Sequence, residues 1–400
     1  MLSQTNSGVR QYLLITGNYW AFTLTDGALR MLVLLQFHQM GYSPLQLASL
    51  FLLYELCGVV TNLLGGWLGA RIGLNRTMNL GLSLQLIALG MLLVPTEGLQ
   101  LIWVMLAQAL SGIAKDLNKM SAKSAVKLLV NEGGQQRLFR WIAILTGSKN
   151  ALKGAGFFMG ALLLQVLGFK GALLCMLLLL ALTLAISLWR LQADLGRVKH
   201  KPKFTEIWSK SRAINRLAAA RLCLFAARDI WFVIALPVFL SSQYGWDFWQ
   251  IGGYLACWII GYGAVQSATP WLLPKQTSAA PRALLVWGSL LALVPVLTAL
   301  ILDMTTSWPL LIGLALFAVA FAINSSVHSF LIVHYARQEG VSMDVGFYYM
   351  ANASGRLIGT LLSGLTYQMS GMVGCLWLSG LALMLAVLLS IGLPAQSSPE

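Results

Sequence analysis

Apolar stretches of about 20 residues recur along this 400-residue chain and constrain its fold more than any other feature. A helix of that length crosses a hydrocarbon core of roughly 30 Å, whereas the strands of a membrane barrel are shorter and alternate in polarity. Only 10% of the residues are charged, against about 25% in globular domains, and the mean hydropathy is +0.74. The sequence therefore predicts an all-α polytopic membrane protein. We place twelve transmembrane helices at approximately residues 12–37, 44–67, 77–95, 99–120, 141–167, 171–189, 213–240, 249–272, 283–302, 309–333, 346–369 and 372–393.

Basic residues gather in the loops on one side of the predicted membrane. If the N-terminus is inside, the inward loops hold Arg71, Arg76, Arg137, Arg140, Lys275, Arg282 and Arg337, and the central loop adds Arg190, Arg197, Lys199, Lys201, Lys203, Lys210, Arg212 and Arg216. The outward loops hold Lys170 together with Glu97, Asp247 and Asp303. This positive-inside asymmetry predicts a protein of the inner (plasma) membrane with both termini in the cytoplasm. Because topology explains the net charge of +14, we expect no nucleic-acid partner.

The cysteines do not form a metal or disulfide pattern. All five lie in apolar helices without a CxxC pair, where they act as small packing residues: Cys57, Cys175, Cys223, Cys257 and Cys375. The N-terminus lacks the pattern of a cleaved signal peptide. We therefore expect no metal and no cofactor, and we expect a monomer in the bilayer.

The chain repeats itself at an offset of 203 to 204 residues, on either side of one long polar interruption. Matching positions include Gln39, Gly41, Tyr42 and Gln46 with Gln243, Gly245, Trp246 and Gln250, and Lys153, Gly156, Gln165, Gly168 and Gly171 with Arg356, Gly359, Gln368, Gly371 and Gly374. We predict an N-terminal six-helix bundle (1–191), a cytoplasmic linker (192–212) and a C-terminal six-helix bundle (213–400). Such a parallel repeat is typical of secondary transporters, and a receptor or scaffold of twelve spans is the alternative.

The loop after the second span reads GGWLGARIGLNRTMN and resembles the signature G-x-L-x-D-R-x-G-R of the major facilitator superfamily. Its matching residues are Gly66, Leu68, Arg71, Gly73 and Arg76. The resemblance implies a gating role for Gly66, Arg71, Gly73 and Arg76. Ala70 stands where that family has an aspartate that helps to latch the cytoplasmic gate, and Gln108 replaces an arginine of the fourth span. We therefore expect the latch to be altered or absent.

Four lysines, Lys115, Lys119, Lys123 and Lys127, follow one another at a spacing of four in and beyond the fourth span. That spacing places them along one helix face. Since the span ends near Met120, we expect Lys115 and also Lys119 to line a cavity. Lys123 and Lys127 are predicted to be ordinary flanking charges on the cytoplasmic side.

Charges within the spans indicate the substrate class, because a charge at membrane depth is costly unless it is paired or functional. Nine basic side chains stand there against four acids. The basic ones are Arg30, Lys115, Lys119, Lys149, Lys153, Arg221, Arg228, His328 and Arg356, and the acids are Asp26, Glu55, Asp116 and Asp229. The spacing of Asp26 and Arg30 predicts an i, i+4 pair, and Asp229 can pair with Arg228.

Such pairing leaves about five positive charges over, which predicts an anionic substrate with more than one negative charge, best a phosphate-type oxyanion. We take the nine basic residues and Asn352 as candidate substrate contacts. Structural pairing is the alternative for Arg30 and Arg228, and a hydrogen bond in the helix core is the alternative for His328.

The energy source is less constrained. No G-x-x-x-x-G-K-[ST] loop occurs, which argues against nucleotide hydrolysis and favours an ion gradient or substrate exchange. The candidate proton carriers are Asp26, Glu55 and Asp229, with Asp26 first. We expect no enzyme activity, because a membrane-embedded enzyme acting on lipid phosphates would need a nucleophile and base or a metal site at one membrane face.

The segments LTDGALRMLVLLQFHQMGYSPLQL, AKDLNKMSAKSAVKLLV and ARDIWFVIALPVFL resemble the organoarsenical efflux permeases called ArsJ. The resemblance implies export of 1-arseno-3-phosphoglycerate, which a partner glyceraldehyde-3-phosphate dehydrogenase makes from arsenate, and hence arsenate resistance. That substrate is a multivalent anion, as the charge pattern requires. An importer or exchanger of sugar phosphates needs the same positive site and remains the alternative.

Overall fold

The computed structural model describes residues 2–42, 50–95, 99–129, 134–191, 195, 211–246, 248–273, 280–337 and 341–394. Within these ranges the chain forms eleven helices and no strand. They are α1 (Leu2–Gln39), α2 (Leu52–Ile72), α3 (Leu74–Met91), α4 (Leu101–Leu129), α5 (Gly134–Arg190), α6 (Arg212–Phe232), α7 (Ala235–Tyr244), α8 (Phe248–Leu272), α9 (Ala280–Ile301), α10 (Trp308–Tyr335) and α11 (Val341–Ser390). Glu97, Asp247, Lys275 and most of the predicted linker 192–212 lie outside the described residues.

Glycines divide the two longest helices at equivalent positions of the repeat. Gly168 interrupts α5 with φ of 68°, and Gly371 interrupts α11 with φ of 61°. A side chain with a Cβ is strained at such positive φ, so glycine is suited to both breaks. The two breaks fall between the spans predicted on either side of them. Because α6 and α7 together occupy the predicted span 213–240, the eleven helices account for the twelve predicted spans, and the all-α fold class is confirmed.

Length and composition fit these helices to a bilayer. Six helical stretches of the described chain are long and apolar enough to cross one, among them Trp308–Tyr335, with a hydropathy of 2.2. In that stretch, which is α10, 72% of the most apolar window is buried inside the protein. Helix α10 is therefore largely buried, and its polar residues between Asn324 and Ser329 face protein.

The chain forms two compact units, each built from several segments. Unit 1 comprises 1–134, 148–209 and 336–350, and unit 2 comprises 135–147, 210–335 and 351–400. Unit 1 has an apolar core around Phe22, Leu82 and Met176. Unit 2 has a core around Trp231, Phe317 and Phe321, where the Trp231 and Phe317 rings meet edge to face with centroids 5.0 Å apart.

Glycines also let two pairs of helices approach closely, once in each unit. A Cβ added to Gly156 on α5 would lie 2.5 Å from the Leu24 carbonyl oxygen on α1. A Cβ added to Gly359 on α11 would lie 2.6 Å from the Ala226 carbonyl oxygen on α6. These two glycines were matched by the sequence repeat, so the repeat extends to helix packing. Each crossing fixes a helix that carries charged residues.

Candidate functional site

A network of charged side chains joins α1, α2 and α4 within unit 1. The Arg30 Nη2 atom lies 2.7 Å from Glu55 Oε1. The Lys115 Nζ atom lies 4.0 Å from Glu55 Oε2 and 3.5 Å from Asp116 Oδ2, and Lys119 Nζ lies 2.6 Å from Asp116 Oδ1. The two acids Glu55 and Asp116 therefore hold three cations, one from α1 and two from α4. This sharing lowers the cost of burying them.

Tyr54 stands at the centre of this network. Its hydroxyl donates to both oxygens of Asp26, at 2.8 and 3.0 Å, and its ring lies 4.3 Å from Arg30 Cζ and 3.9 Å from Lys115 Nζ. The i, i+4 spacing predicted an Asp26–Arg30 pair, but the acid in contact with Arg30 is Glu55. The tertiary neighbour α2 supplies both the tyrosine and the glutamate, which spacing within α1 could not reveal.

The last two lysines of α4 are more buried than the first two. The side chains of Lys115 and Lys119 are 17% and 12% exposed. Lys123 and Lys127 are 2% and 9% exposed. Lys123 donates a hydrogen bond to the hydroxyl of Tyr349, whose ring centroid lies 4.8 Å from Lys119 Nζ and 4.9 Å from Lys123 Nζ.

Lys127 donates to the backbone carbonyl of Ala336, just beyond the end of α10. A lysine in that position satisfies a carbonyl that the helix leaves without an internal partner. The prediction that Lys123 and Lys127 are ordinary flanking charges is therefore wrong, because both are buried. Residues 336–350 cover this end of α4 within unit 1, and that covering could not be read from the lysine spacing.

The predicted gating residues surround the turn from α2 to α3. A Cβ on Gly66 would lie 3.1 Å from the Cα of Gly346 in α11, so the two helices touch there. Gly73 has φ of 100°, which allows the sharp turn between the helices. Arg71 and Arg76 are exposed, and the Arg71 guanidinium lies 5.0 Å from the Trp67 ring. A role in gating remains a prediction for these four residues.

The predicted lysines of α5 lie in unit 1. Lys149 and Lys153 are both half-buried. The ammonium of Lys153 lies 6.0 Å from the Phe157 ring centroid, and the Lys153 carbonyl oxygen faces Gly27 across the α1–α5 crossing. Their contact with a substrate remains a prediction.

Two arginines share one carboxylate in unit 2. The Asp229 Oδ1 atom accepts from Arg228 Nε at 2.6 Å and lies 2.5 Å from Arg228 Nη2. Its Oδ2 atom accepts from Arg356 Nε at 3.3 Å. The predicted pairing of Asp229 with Arg228 is confirmed, and the second arginine comes from α11. One negative charge therefore faces two positive ones.

A third arginine of unit 2 is held by neutral groups. Arg221 is 3% exposed and donates from Nε to Asn352 Oδ1 and from Nη1 to Ser325 Oγ, both at 2.9 Å. The Tyr262 hydroxyl and the Gln266 amide also lie within hydrogen-bond distance of Ser325 Oγ, at 3.2 and 3.3 Å. These contacts orient the guanidinium without neutralising its charge.

Sequence reasoning missed Tyr262, Gln266 and Ser325 as parts of this site. One available signal was the segment NSSVHS at 324–329, which has five polar residues within the apolar helix α10. Another was Gln266 itself, a polar residue inside the apolar span predicted at 249–272. Polar side chains that recur inside buried helices usually serve a site or a hydrogen-bond network.

Arg221 and Arg228 both lie beside the Phe225 ring, and Arg228 shares the Asp229 carboxylate with Arg356. The ring centroid of Phe225 lies 4.1 Å from Arg221 Cζ and 4.8 Å from Arg228 Cζ. His328, on α10, is 1% exposed, and its Nδ1 atom has no hydrogen-bond partner among the residues that the structure describes. We call Arg221, Arg228, Asp229 and Arg356 the arginine cluster. Its chemistry suits an oxyanion, because guanidinium groups bind such ligands bidentately.

The fold is similar to that of solved membrane transporters. The structure matches the human organic anion transporter MFSD10 (TETRAN) with a TM-score of 0.76 at 17% identity, over 96% of this chain and 99% of that chain. It matches the E. coli fucose:proton symporter FucP with a TM-score of 0.74 at 12% identity, over 96% and 98%. It also matches a bacterial homologue of the iron transporter ferroportin with a TM-score of 0.74 at 16% identity, over 95% of this chain and 98% of that chain.

At these identities the likeness establishes the fold alone. No curated protein matches the sequence. The family model for the Major Facilitator Superfamily matches residues 12–294, which is more than half of the chain. The repeated helices and the glycine crossings are consistent with this family match. The chain therefore belongs to the Major Facilitator Superfamily and is a multi-pass membrane transporter rather than an enzyme.

Proposed function

We propose that this transporter exports a multivalent organic anion, 1-arseno-3-phosphoglycerate, across the inner (plasma) membrane and thereby confers arsenate resistance. The observation that carries the proposal is the arginine cluster, in which Arg228 and Arg356 share the single carboxylate of Asp229. The resemblance of three segments to the ArsJ permeases supports the specific substrate. In this proposal both termini are cytoplasmic, and a cytoplasmic glyceraldehyde-3-phosphate dehydrogenase supplies the substrate.

The charge of the cluster supports an anion rather than a cation or a neutral sugar. Asp229 is the only acid that the sequence places within the predicted spans of unit 2, against Arg221, Arg228 and Arg356. A phosphate group carries about −1.5 to −2 at neutral pH and offers three acceptor oxygens. Two arginine forks and a third guanidinium match that geometry and charge better than lysine point charges would.

Unit 1 supplies the candidate for energy coupling. Asp26 is 4% exposed and accepts hydrogen bonds from the neutral Tyr54 hydroxyl. Glu55 and Asp229 each contact two cations and thereby act as counter-ions. We propose Asp26 as the coupling residue for this reason.

The direct test uses everted membrane vesicles, in which export appears as uptake. The vesicles are supplied with glyceraldehyde-3-phosphate, NAD, arsenate and the dehydrogenase, and the arsenic that accumulates inside is measured. We expect accumulation only when the dehydrogenase is present. Equal accumulation from arsenate alone would overturn the proposal, and so would uptake of glucose 6-phosphate in preference to the arsenate ester.

A pair of variants on one helix locates the activity. Arg221→Ala removes a buried member of the arginine cluster, whereas Arg212→Ala removes an exposed arginine from the first turn of the same helix α6. We expect uptake to disappear in the first variant and to persist in the second. Normal uptake by Arg221→Ala would remove the arginine cluster from the site.

A further inference from the structure

We infer that Asp229 is a built-in counter-ion that competes with the anionic substrate for Arg228 and Arg356. This inference rests on the proposed function, since it assumes that the arginine cluster receives an anion. In the structure the Asp229 carboxylate contacts the guanidinium groups that the substrate would bind. Asp229 would then set how tightly the anion binds and how readily it leaves.

The contact geometry is that of an oxyanion bridging two arginines. Each oxygen of Asp229 faces a different guanidinium, Oδ1 that of Arg228 and Oδ2 that of Arg356. A phosphate-type group bridges two arginines through separate oxygens in the same way. The two ligands cannot fully occupy the same donors at once, so binding of one weakens the hold of the other.

The arginine side chains are more exposed than Asp229, so an entering anion meets them first. The side chains of Arg228 and Arg356 are 16% and 28% exposed, whereas that of Asp229 is 1% exposed. The acid therefore lies behind the guanidinium groups. A substrate can approach the exposed sides of the arginines without first meeting the negative charge.

The α6–α11 crossing fixes the acid more firmly than the arginines. A Cβ added to Gly359 would lie 2.9 Å from the Cβ of Asp229, so the aspartate is pressed against the backbone of α11. Arg228 is also held by the Phe225 ring. The Arg356–Asp229 contact, at 3.3 Å, is the longer of the two ion pairs. Arg356 is therefore the first to transfer from the carboxylate to the substrate.

Arg221 has a different role from Arg228 and Arg356. It is held by Asn352 and Ser325, so an anion that binds it does not have to displace Asp229. Removing the Asp229 charge should therefore strengthen anion binding through Arg228 and Arg356 and leave the Arg221 contacts in place.

The test measures binding of 3-phosphoglycerate and of inorganic phosphate to the purified full-length protein by calorimetry. Asp229→Asn keeps the shape of the side chain and removes its charge, and we expect the affinity for 3-phosphoglycerate to rise at least tenfold, which is the low end of couplings measured between close charge pairs. Asp303→Asn removes the same charge from an exposed loop of the same unit and should leave the affinity unchanged. Unchanged or weaker binding by Asp229→Asn, or equal gains in both variants, would overturn the inference.

A second measurement detects the change in the unaltered protein and needs a variant only to assign the band. Infrared difference spectra on adding 3-phosphoglycerate should show a shift of one carboxylate band, which moves in frequency in the charge-conserving Asp229→Glu variant. Binding without any carboxylate shift would contradict the inference, as would the absence of binding of both probes. If 3-phosphoglycerate binds as expected but vesicles do not accumulate the arsenate ester, the proposed function fails while the counter-ion role stands.

Discussion

The two units of this transporter hold their buried charge in different ways. In the network of unit 1, three cations lie among three acids, and a tyrosine at the centre contacts members of both groups. In the arginine cluster of unit 2, Arg228 and Arg356 share one acid, Asp229, and neutral amide and hydroxyl groups hold Arg221. A network with equal numbers of charges can neutralise itself, whereas a cluster with excess cations retains positive potential for a ligand.

The two units also differ in which basic residues they use. Unit 1 uses two lysines and one arginine, and unit 2 uses arginines alone. Lysine is a point charge, whereas arginine presents a planar fork that fits carboxylate and phosphate groups. We therefore propose that the network of unit 1 mainly stabilises the surroundings of the coupling residue Asp26 and that the arginine cluster binds the ligand. The following variants test that division.

The largest effect is expected on transport from the arginine cluster. Arg356→Ala should reduce uptake of the substrate about 100-fold, since truncating one member of a buried charge pair commonly costs 2–5 kcal/mol. Arg356→Lys should recover only part of the rate, because it restores the charge without the fork. Uptake in vesicles checks both. Normal transport by Arg356→Ala together with loss of transport in Lys115→Ala would place the ligand-binding role in unit 1 instead.

The next effect is expected on stability from the network of unit 1. Asp116→Asn removes the acid that holds Lys115 and Lys119 and should lower the free energy of unfolding by about 3–5 kcal/mol, as for other buried ion pairs broken on one side. Thermal unfolding of the purified protein measures it. The double variant Asp116→Asn with Lys119→Met should recover part of the loss, and no recovery would argue against a pairwise role.

A smaller effect is expected at the buried end of α4. Tyr349→Phe removes a hydroxyl that accepts a hydrogen bond from Lys123 and should cost about 1–2 kcal/mol. Lys123→Met in the same background should reverse most of that cost, since the buried charge is then gone. Tyr349→Phe that unfolds at the temperature of the unaltered protein would show that this contact is unimportant.

The smallest effect is expected from Asp303, an exposed carboxylate in the loop between α9 and α10. Hydrogen bonds from the Thr305 backbone and hydroxyl and from the Thr306 hydroxyl lower the pKa of Asp303. A lowered pKa stabilises the folded state above the usual pKa of about 3.9, and that stabilisation is lost as the pH falls through the lower value. Asp303→Asn should therefore leave transport unchanged at neutral pH. Melting temperatures of the variant and the unaltered protein should converge as the pH falls below 4, and a gap that widens there would contradict this reading.

The fold could be predicted from the sequence because each of its main features is local. The length of the apolar stretches predicted the spans, and the repeat matched Gly168 with Gly371, at which the structure has its two equivalent breaks. The pairing of Asp229 with Arg228 was also predictable, since the two residues are adjacent. Features that depend on one helix or on two neighbouring residues need no knowledge of the tertiary neighbours.

The partners of the other charges could not be predicted in this way. Spacing paired Asp26 with Arg30, but α2 brings Glu55 to Arg30 and Tyr54 to Asp26. Spacing also predicted that Lys123 is a flanking charge. In the structure it donates to the hydroxyl of Tyr349, which is 226 positions away in the sequence. The polar groups on α10 and α11 that hold Arg221 could not be assigned to it from the sequence for the same reason.

The sequence by itself determined that this chain spans a membrane as a repeated helical transporter and that its spans carry more basic than acidic side chains. The lengths of the apolar stretches and the number of charged residues do not depend on how the helices pack. Only the tertiary structure decided which cations share an acid, which are held by neutral groups and which are buried. Those properties depend on distances between helices that are remote in sequence, and electrostatic energies fall steeply with such distances.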